Sequence, residues 1–202
     1  MIKIYFRFIL TCLFGTGIIR YFLKEEFSHM KKIYTAGILI SYYISCLILS
    51  FYSHFDLLFF LNIFYSIFLH CIFVTDALTC QIPIKYNGYI AILGIIRNIF
   101  YIKCFCISDL VIEGMLMIFV LFIVIVLFMK NGLGGGDVKL IAASILFIGI
   151  DAVLEGLWIG SILFLLMHMD FIIKRKKRIR KPFGPELCFG LLIGTLSFLM
   201  PI

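Results

Sequence analysis

Apolar residues in this chain fall in long continuous runs, separated by short polar stretches, and they do not alternate with polar ones. Continuous runs of about 18 or more residues are long enough to cross a bilayer as helices, whereas strict alternation would point to half-buried strands. The pattern predicts helices over roughly Ile4–Leu23, Ile33–Phe51, Leu57–Val74, Tyr89–Cys106 and Leu110–Met129. Val138–Ile173 is too long for one span and is interrupted by Asp151, Glu155 and Gly156. It divides into a short helix over Val138–Ile150 and a second over Gly156–Ile173, and a last helix covers Glu186–Met200. The fold class expected is therefore all-α: a polytopic integral membrane helical bundle of about eight transmembrane helices. No repeat, low-complexity tract or long polar insertion divides it, so residues 1–202 read as one membrane domain. Lys3 and Arg7 ahead of the first run resemble a signal peptide, but no small-x-small cleavage site follows and the segment reads as a retained helix.

Composition sharpens this picture. The chain is 63% hydrophobic and only 14% charged, with 23 Phe and a mean hydropathy of +1.15. A water-soluble protein of this length has too much surface to hide so many apolar side chains. The net charge of +7 could suggest nucleic acid, but much of the basic charge lies in one run, Lys174-Arg175-Lys176-Lys177-Arg178-Ile179-Arg180-Lys181, between two apolar segments. That placement fits the positive-inside rule and contact with anionic lipid rather than nucleic-acid binding. The seven cysteines include no Cys-x-x-Cys pair and no zinc-ligand spacing, so neither a metal nor another cofactor is expected.

Loop charge sets an orientation. Lys24–Lys32, Thr75–Gly88, Lys130–Lys139 and Lys174–Lys181 collect the lysines and arginines of the loops. Ser53–Asp56, Ile107–Asp109 and Asp151–Glu155 carry acids and no Lys or Arg. The first group is expected in the cytoplasm, in a multi-pass protein of the cell membrane, although Lys3 and Arg7 count against the scheme. As a consequence, Asp76 and Asp137 fall at the same membrane face.

Those two aspartates are the candidate chemistry. Asp137 follows Gly134-Gly135-Gly136 at the start of an apolar run, and Asp76 closes another just before Ile82-Pro83. Ionisable groups at a membrane edge are costly and mark functional sites. Two carboxylates brought together share a proton: the ionised one can activate water while the protonated one polarises a carbonyl. Asp137 at a helix N-terminus favours the anion and Asp76 at a C-terminus disfavours it, which assigns Asp137 as base and Asp76 as acid. The competing reading makes both aspartates simple helix-end caps.

Three stretches together resemble the type IV prepilin peptidases, aspartic proteases that cleave the leaders of pilin-like precursors at the cytoplasmic membrane face. Gly134-Gly135-Gly136-Asp137-Val138-Lys139-Leu140 is similar to the family's Gly-x-Gly-Asp-x-Lys-Leu motif. Asp76 with Ile82-Pro83 is similar to its first aspartate motif, and Pro182-Phe183-Gly184-Pro185-Glu186-Leu187 to its Pro-Phe-Gly-Pro-x-Leu block. The resemblance runs from about Phe73 to the end; residues 1–72 add only N-terminal transmembrane helices. It implies a catalytic dyad of Asp76 and Asp137, with Gly134, Gly135 and Gly136 letting the loop bring Asp137 to Asp76. Pro83, Phe183, Gly184 and Pro185 would shape the surroundings. Lys139 would meet a substrate carboxylate or lipid phosphate, or merely snorkel. The implied partner is a prepilin-like precursor: a pilin, pseudopilin or competence protein. The connection Lys24–Lys32 is short and lacks the paired cysteines of the long members, which implies peptidase without N-methyltransferase activity.

Two other functions compete: a non-catalytic membrane component of pilus or secretion assembly, and an ion- or proton-coupled transporter. The second would place its acids near the bilayer midplane within inverted repeats, and no repeat is visible. His70 and His168 read as satisfied side chains within apolar helices, and Arg97 as the structural partner of Glu113.

Overall fold

The computed structural model describes residues 2–24, 32–52, 57–101, 134–173 and 182–199. Among these residues there are seven helices and no strand: α1 (Ile2–Phe22), α2 (Lys32–Tyr52), α3 (Leu57–Thr79), α4 (Ile84–Tyr101), α5 (Gly135–Ile148), α6 (Ile150–Ile173) and α7 (Gly184–Leu199). Two of them, α3 and the Ile150–Met169 portion of α6, are long and apolar enough to cross a membrane. Ala36–Phe51 and Gly184–Leu196 are apolar but shorter. The expected helix Leu110–Met129 and the basic run Lys174–Lys181 lie outside the described residues.

Helix α3 is the centre of the bundle, with α1, α2, α4 and α7 all packed on it. It buries Phe59, Tyr65, Ile67, Leu69, Ile72 and Val74 completely. Lipid is as apolar as these side chains, so such contacts hold a membrane bundle through close packing rather than water release. Tyr65 on α3 stacks on Phe147 of α5 at 4.4 Å, and the Arg97 guanidinium of α4 lies 5.4 Å from the same Phe147 ring. A cation over an aromatic face is one way to carry a charge in an apolar setting. Glu113, the partner expected for Arg97, lies outside the described residues. His70 is buried, with Nδ1 2.8 Å from the Ser66 carbonyl and Nε2 3.1 Å from Ser41 Oγ, as a satisfied structural histidine should be.

Helix limits differ from expectation at three places, each for a local reason. Helix α3 runs five residues past Val74 to Thr79 and is stopped by Cys80, whose φ of 52° is left-handed and whose N–H donates to the Asp76 carbonyl at 2.8 Å. Asp76 therefore sits in the last turn of the helix rather than beyond it. Helix α4 starts at Ile84, directly after Pro83, where a fixed φ suits the approach to a helix. The break between α5 and α6 is a single residue, Gly149, with φ 84° and ψ 167°, instead of the expected loop at Asp151–Glu155. That backbone region is essentially reserved for glycine. Asp151 thus occupies the first turn of α6, where the helix dipole favours an acid.

The end of α1 meets the start of α4, since Phe22 packs on Tyr86 and Tyr89. The start of α5 meets the turn before α4, and the start of α7 meets the end of α3. One end of the bundle therefore gathers the ends of α1 and α3 and the starts of α4, α5 and α7. The seam between α6 and α7 is the tightest: a Cβ on Gly190 would overlap the Gly156 carbonyl, and one on Gly160 would come within 2.9 Å of the Glu186 carbonyl. Small residues spaced by four in this way let helix backbones approach closely in a membrane.

Gly149→Ala should cost about 1–3 kcal/mol from strained backbone alone, since a Cβ there meets nothing within 4 Å. Thermal unfolding of the detergent-solubilised protein measures this, and an unchanged midpoint would show that the α5–α6 corner adopts another conformation.

Candidate active site

Asp76 and Asp137 are both buried, at 4% and 8% exposure, inside the end of the bundle described above. Each is held by one backbone amide from a glycine-containing segment. Gly184 N–H donates to Asp76 Oδ2 at 2.9 Å, and Gly134 N–H donates to Asp137 Oδ2 at 3.2 Å. Among the described residues neither carboxylate has a basic partner. The two charges act on each other, and both reach the buried Cys188 of α7. Sixty residues of chain thus separate two carboxylates that share one electrostatic environment.

The local reasons are distinct. Asp137 is the third residue of α5 and reaches back to the amide of Gly134, the residue capping that helix. It is therefore a helix cap, as the simpler reading required, and also a neighbour of Asp76. The glycine run contributes differently than its flexibility suggests. Gly134 has an ordinary extended backbone (φ −66°, ψ 141°), and Gly135 and Gly136 form the first turn of α5 instead of a bending loop. What Gly136 supplies is absence of bulk, since a Cβ there would lie 2.9 Å from the Ile82 Cβ. A Cβ on Gly135 would meet nothing. Ile82, in the turn forced by Pro83, is thereby seated against the start of α5, and Asn87 Nδ2 on α4 donates to the Gly136 carbonyl at 3.3 Å.

Gly184 shows the same economy more sharply. It opens α7, and a Cβ there would sit 2.5 Å from Asp76 Oδ2. Asp76 is consequently at the C-terminal end of its own helix and at the N-terminus of another. The dipole argument that separated an acid from a base fails for this reason: each aspartate faces a helix N-terminus, where amides favour the anion.

Phe183 packs edge-on against Phe164 of α6 at 5.4 Å, and Pro185 is buried in the first turn of α7. Lys139 is exposed, one turn into α5, and Pro83 is half-buried in the turn before α4. One nearby group escaped the sequence reading: Asn87, an amide buried one turn after Pro83. Glu186, quoted only as part of its motif, and His168, read as a satisfied side chain, come together at the start of α7, with His168 Nδ1 3.9 Å from Glu186 Oε1. That pairing was not legible in the sequence, because the partners lie on different helices. Among the described residues no three His, Cys, Asp or Glu side chains converge as metal ligands.

No curated protein and no solved structure matches the chain. A family model does: the type IV leader peptidase family, over residues 63–169. The matched stretch includes Asp76, Ile82-Pro83 and the whole Gly134–Leu140 segment; the Pro182–Leu187 block lies beyond it and joins the site through the Gly184–Asp76 hydrogen bond. With more than half of its length matched, the chain belongs to the type IV leader peptidase family, whose members are proteases.

Proposed function

We propose that the protein is an aspartic endopeptidase that removes the leader of a prepilin-like precursor, with Asp76 and Asp137 as its catalytic pair. The observation carrying this reading is the burial of both carboxylates at one end of the bundle, each fixed by a single glycine amide and, among the described residues, neither neutralised by a basic side chain. An aspartate serving only as a cap has no need of a second, distant carboxylate beside it.

In the proposed reaction one aspartate is ionised and takes a proton from water, which attacks the scissile carbonyl carbon. The other is protonated and donates to the carbonyl oxygen. As the tetrahedral species collapses, the C–N bond breaks and the amine leaves with the proton first taken from water. Like charges held close cannot both ionise easily, so a shared proton is the resting state of such a pair. The pair titrates as a unit.

The reading also places the site at the cytoplasmic face of a multi-pass protein of the cell membrane. Its support is the loop charge: Lys24 after α1, Lys85 in the first turn of α4 and Lys139 one turn into α5 belong to the bundle end that holds the aspartates. Lys174–Lys181 would join them and meet anionic lipid. The connection between α1 and α2 is too short to hold a second catalytic domain, which favours peptidase without N-methyltransferase activity.

Two predictions test the proposal with a membrane-bound prepilin-like reporter, made of a leader, a cleavable junction and an apolar helix, co-expressed with the protein. Asp76→Asn and Asp137→Asn should each lower the rate of leader removal by about 10²–10⁴-fold while the protein remains in the membrane fraction. Normal processing by either variant would end the aspartic-protease reading, and no processing of any precursor by the native protein would favour an assembly component. Gly184→Ala should cost about 10²-fold in the same assay by displacing Asp76, whereas Gly135→Ala should leave the rate within a few-fold, because open space surrounds it.

A further inference from the structure

A second ionisable pair sits beside the aspartates. Glu186 stands in the first turn of α7, two residues after Gly184, whose N–H holds Asp76 Oδ2 at 2.9 Å. Asp76 and Glu186 thus share one helix N-terminus, and their charges act on each other. The Glu186 side chain is only 12% exposed, and its Oε2 is buried with no hydrogen-bond partner among the described residues. A buried carboxylate beside another one is costly, and the proposed reaction makes no use of it.

His168 answers that charge from across the α6–α7 seam, with Nδ1 3.9 Å from Glu186 Oε1. The same Nδ1 lies 3.1 Å from the Phe164 carbonyl, which can only accept, so Nδ1 carries a hydrogen and Nε2 is the nitrogen that gains or loses a proton. The His168 ring stacks on Phe164 at 4.5 Å, and Phe164 meets Phe183 edge-on. Gly160 fixes the seam itself, since a Cβ there would lie 2.9 Å from the Glu186 carbonyl. Among the described residues, the other ionisable groups near the start of α7 are Asp137 of α5 and Cys188 of α7, and the charges of Glu186 and both aspartates reach that thiol. Asp151 and Glu155 lie toward the far end of α6. Helix α2 lines the space between itself and α7 with Ile38, Ser41 and Ser45, none of them ionisable.

Resting on the peptidase reading, we propose that Glu186 is a positioning residue acting through Asp76, and that Glu186 and His168 together set the pH range in which the aspartate pair holds one proton. A negative charge beside the pair opposes loss of its last proton, so ionised Glu186 extends the singly protonated state to higher pH. A cation at His168 offsets that charge, and histidine is the side chain that changes charge near neutral pH. As pH rises and His168 loses its charge, the full effect of Glu186 returns. The working form of the pair then persists further toward neutral pH than two aspartates alone would allow.

The test uses the purified full-length protein and the reporter above, both in detergent, and follows kcat/KM against pH, whose two limbs report the pair as a unit. Glu186→Gln, equal in size and without charge, should move both limbs to lower pH by about half a unit to one unit. Glu186→Asp keeps the charge and should leave them nearer the native position. His168→Gln removes the offsetting cation and should move the acid limb to higher pH, but should move nothing in the Glu186→Gln background. Limbs unmoved by Glu186→Gln, or moved alike by Gln and Asp, would overturn the proposal. A shift from His168→Gln that persists without Glu186 would overturn the part given to His168. A second readout needs no cleavage: the protonated-carboxyl infrared band lost in Asp76→Asn, followed against pH, should titrate at lower pH in Glu186→Gln. If the native protein leaves the reporter uncut while this band still shifts, the peptidase reading falls and the coupling of Glu186 to Asp76 stands; an unshifted band overturns the coupling.

Discussion

The hydrogen bond from Gly184 to Asp76 is the constraint on which the rest of the site depends. It joins the last turn of α3 to the first turn of α7 across more than a hundred residues, and it forms only because position 184 carries no side chain. Once α7 is pinned there, Glu186 in its first turn lies 3.9 Å from His168 of α6. The seam of glycines between α6 and α7 then fixes α7 from its other side, so the amide donor has little freedom to withdraw.

A second constraint works in parallel on Asp137. Pro83 ends the turn after α3, Ile82 is pressed against Gly136, and Asn87 holds the Gly136 carbonyl. The start of α5 is therefore registered on the same turn that follows Asp76. Neither aspartate is placed by the other, which like charges would resist. Each is placed by its own glycine amide, and helix packing brings the two amides together. This division lets a pair of buried acids exist with no basic residue among the described ones to neutralise them.

Much of this was legible in the residues. Long apolar runs gave helices α1, α2 and α7 to within a few residues and missed one limit of α3 and of α4 by five, because runs of that length have few other stable states in lipid while their ends are set by local turns. Loop charges grouped Asp76 with Asp137 before any geometry was known, and the three motif stretches converge on one end of the bundle. The glycines were harder. Their use depends on what approaches them, and Gly136 against Ile82 or Gly184 against Asp76 are contacts between segments far apart in sequence. The same limit hid the α5–α6 corner: Gly149 looked no different from its neighbours, while the more conspicuous Asp151 and Glu155 drew the break to the wrong place. The dipole assignment of acid and base failed because it counted only each aspartate's own helix, and Asp76 faces the start of another.

Whether the two carboxylates act as one unit is the central claim, and cleavage kinetics of single and double variants address it most directly. Groups that act together are lost together. The Asp76→Asn/Asp137→Asn double variant should therefore cut the reporter no more slowly than either single variant, and losses that multiply in the double variant would contradict the shared-proton pair.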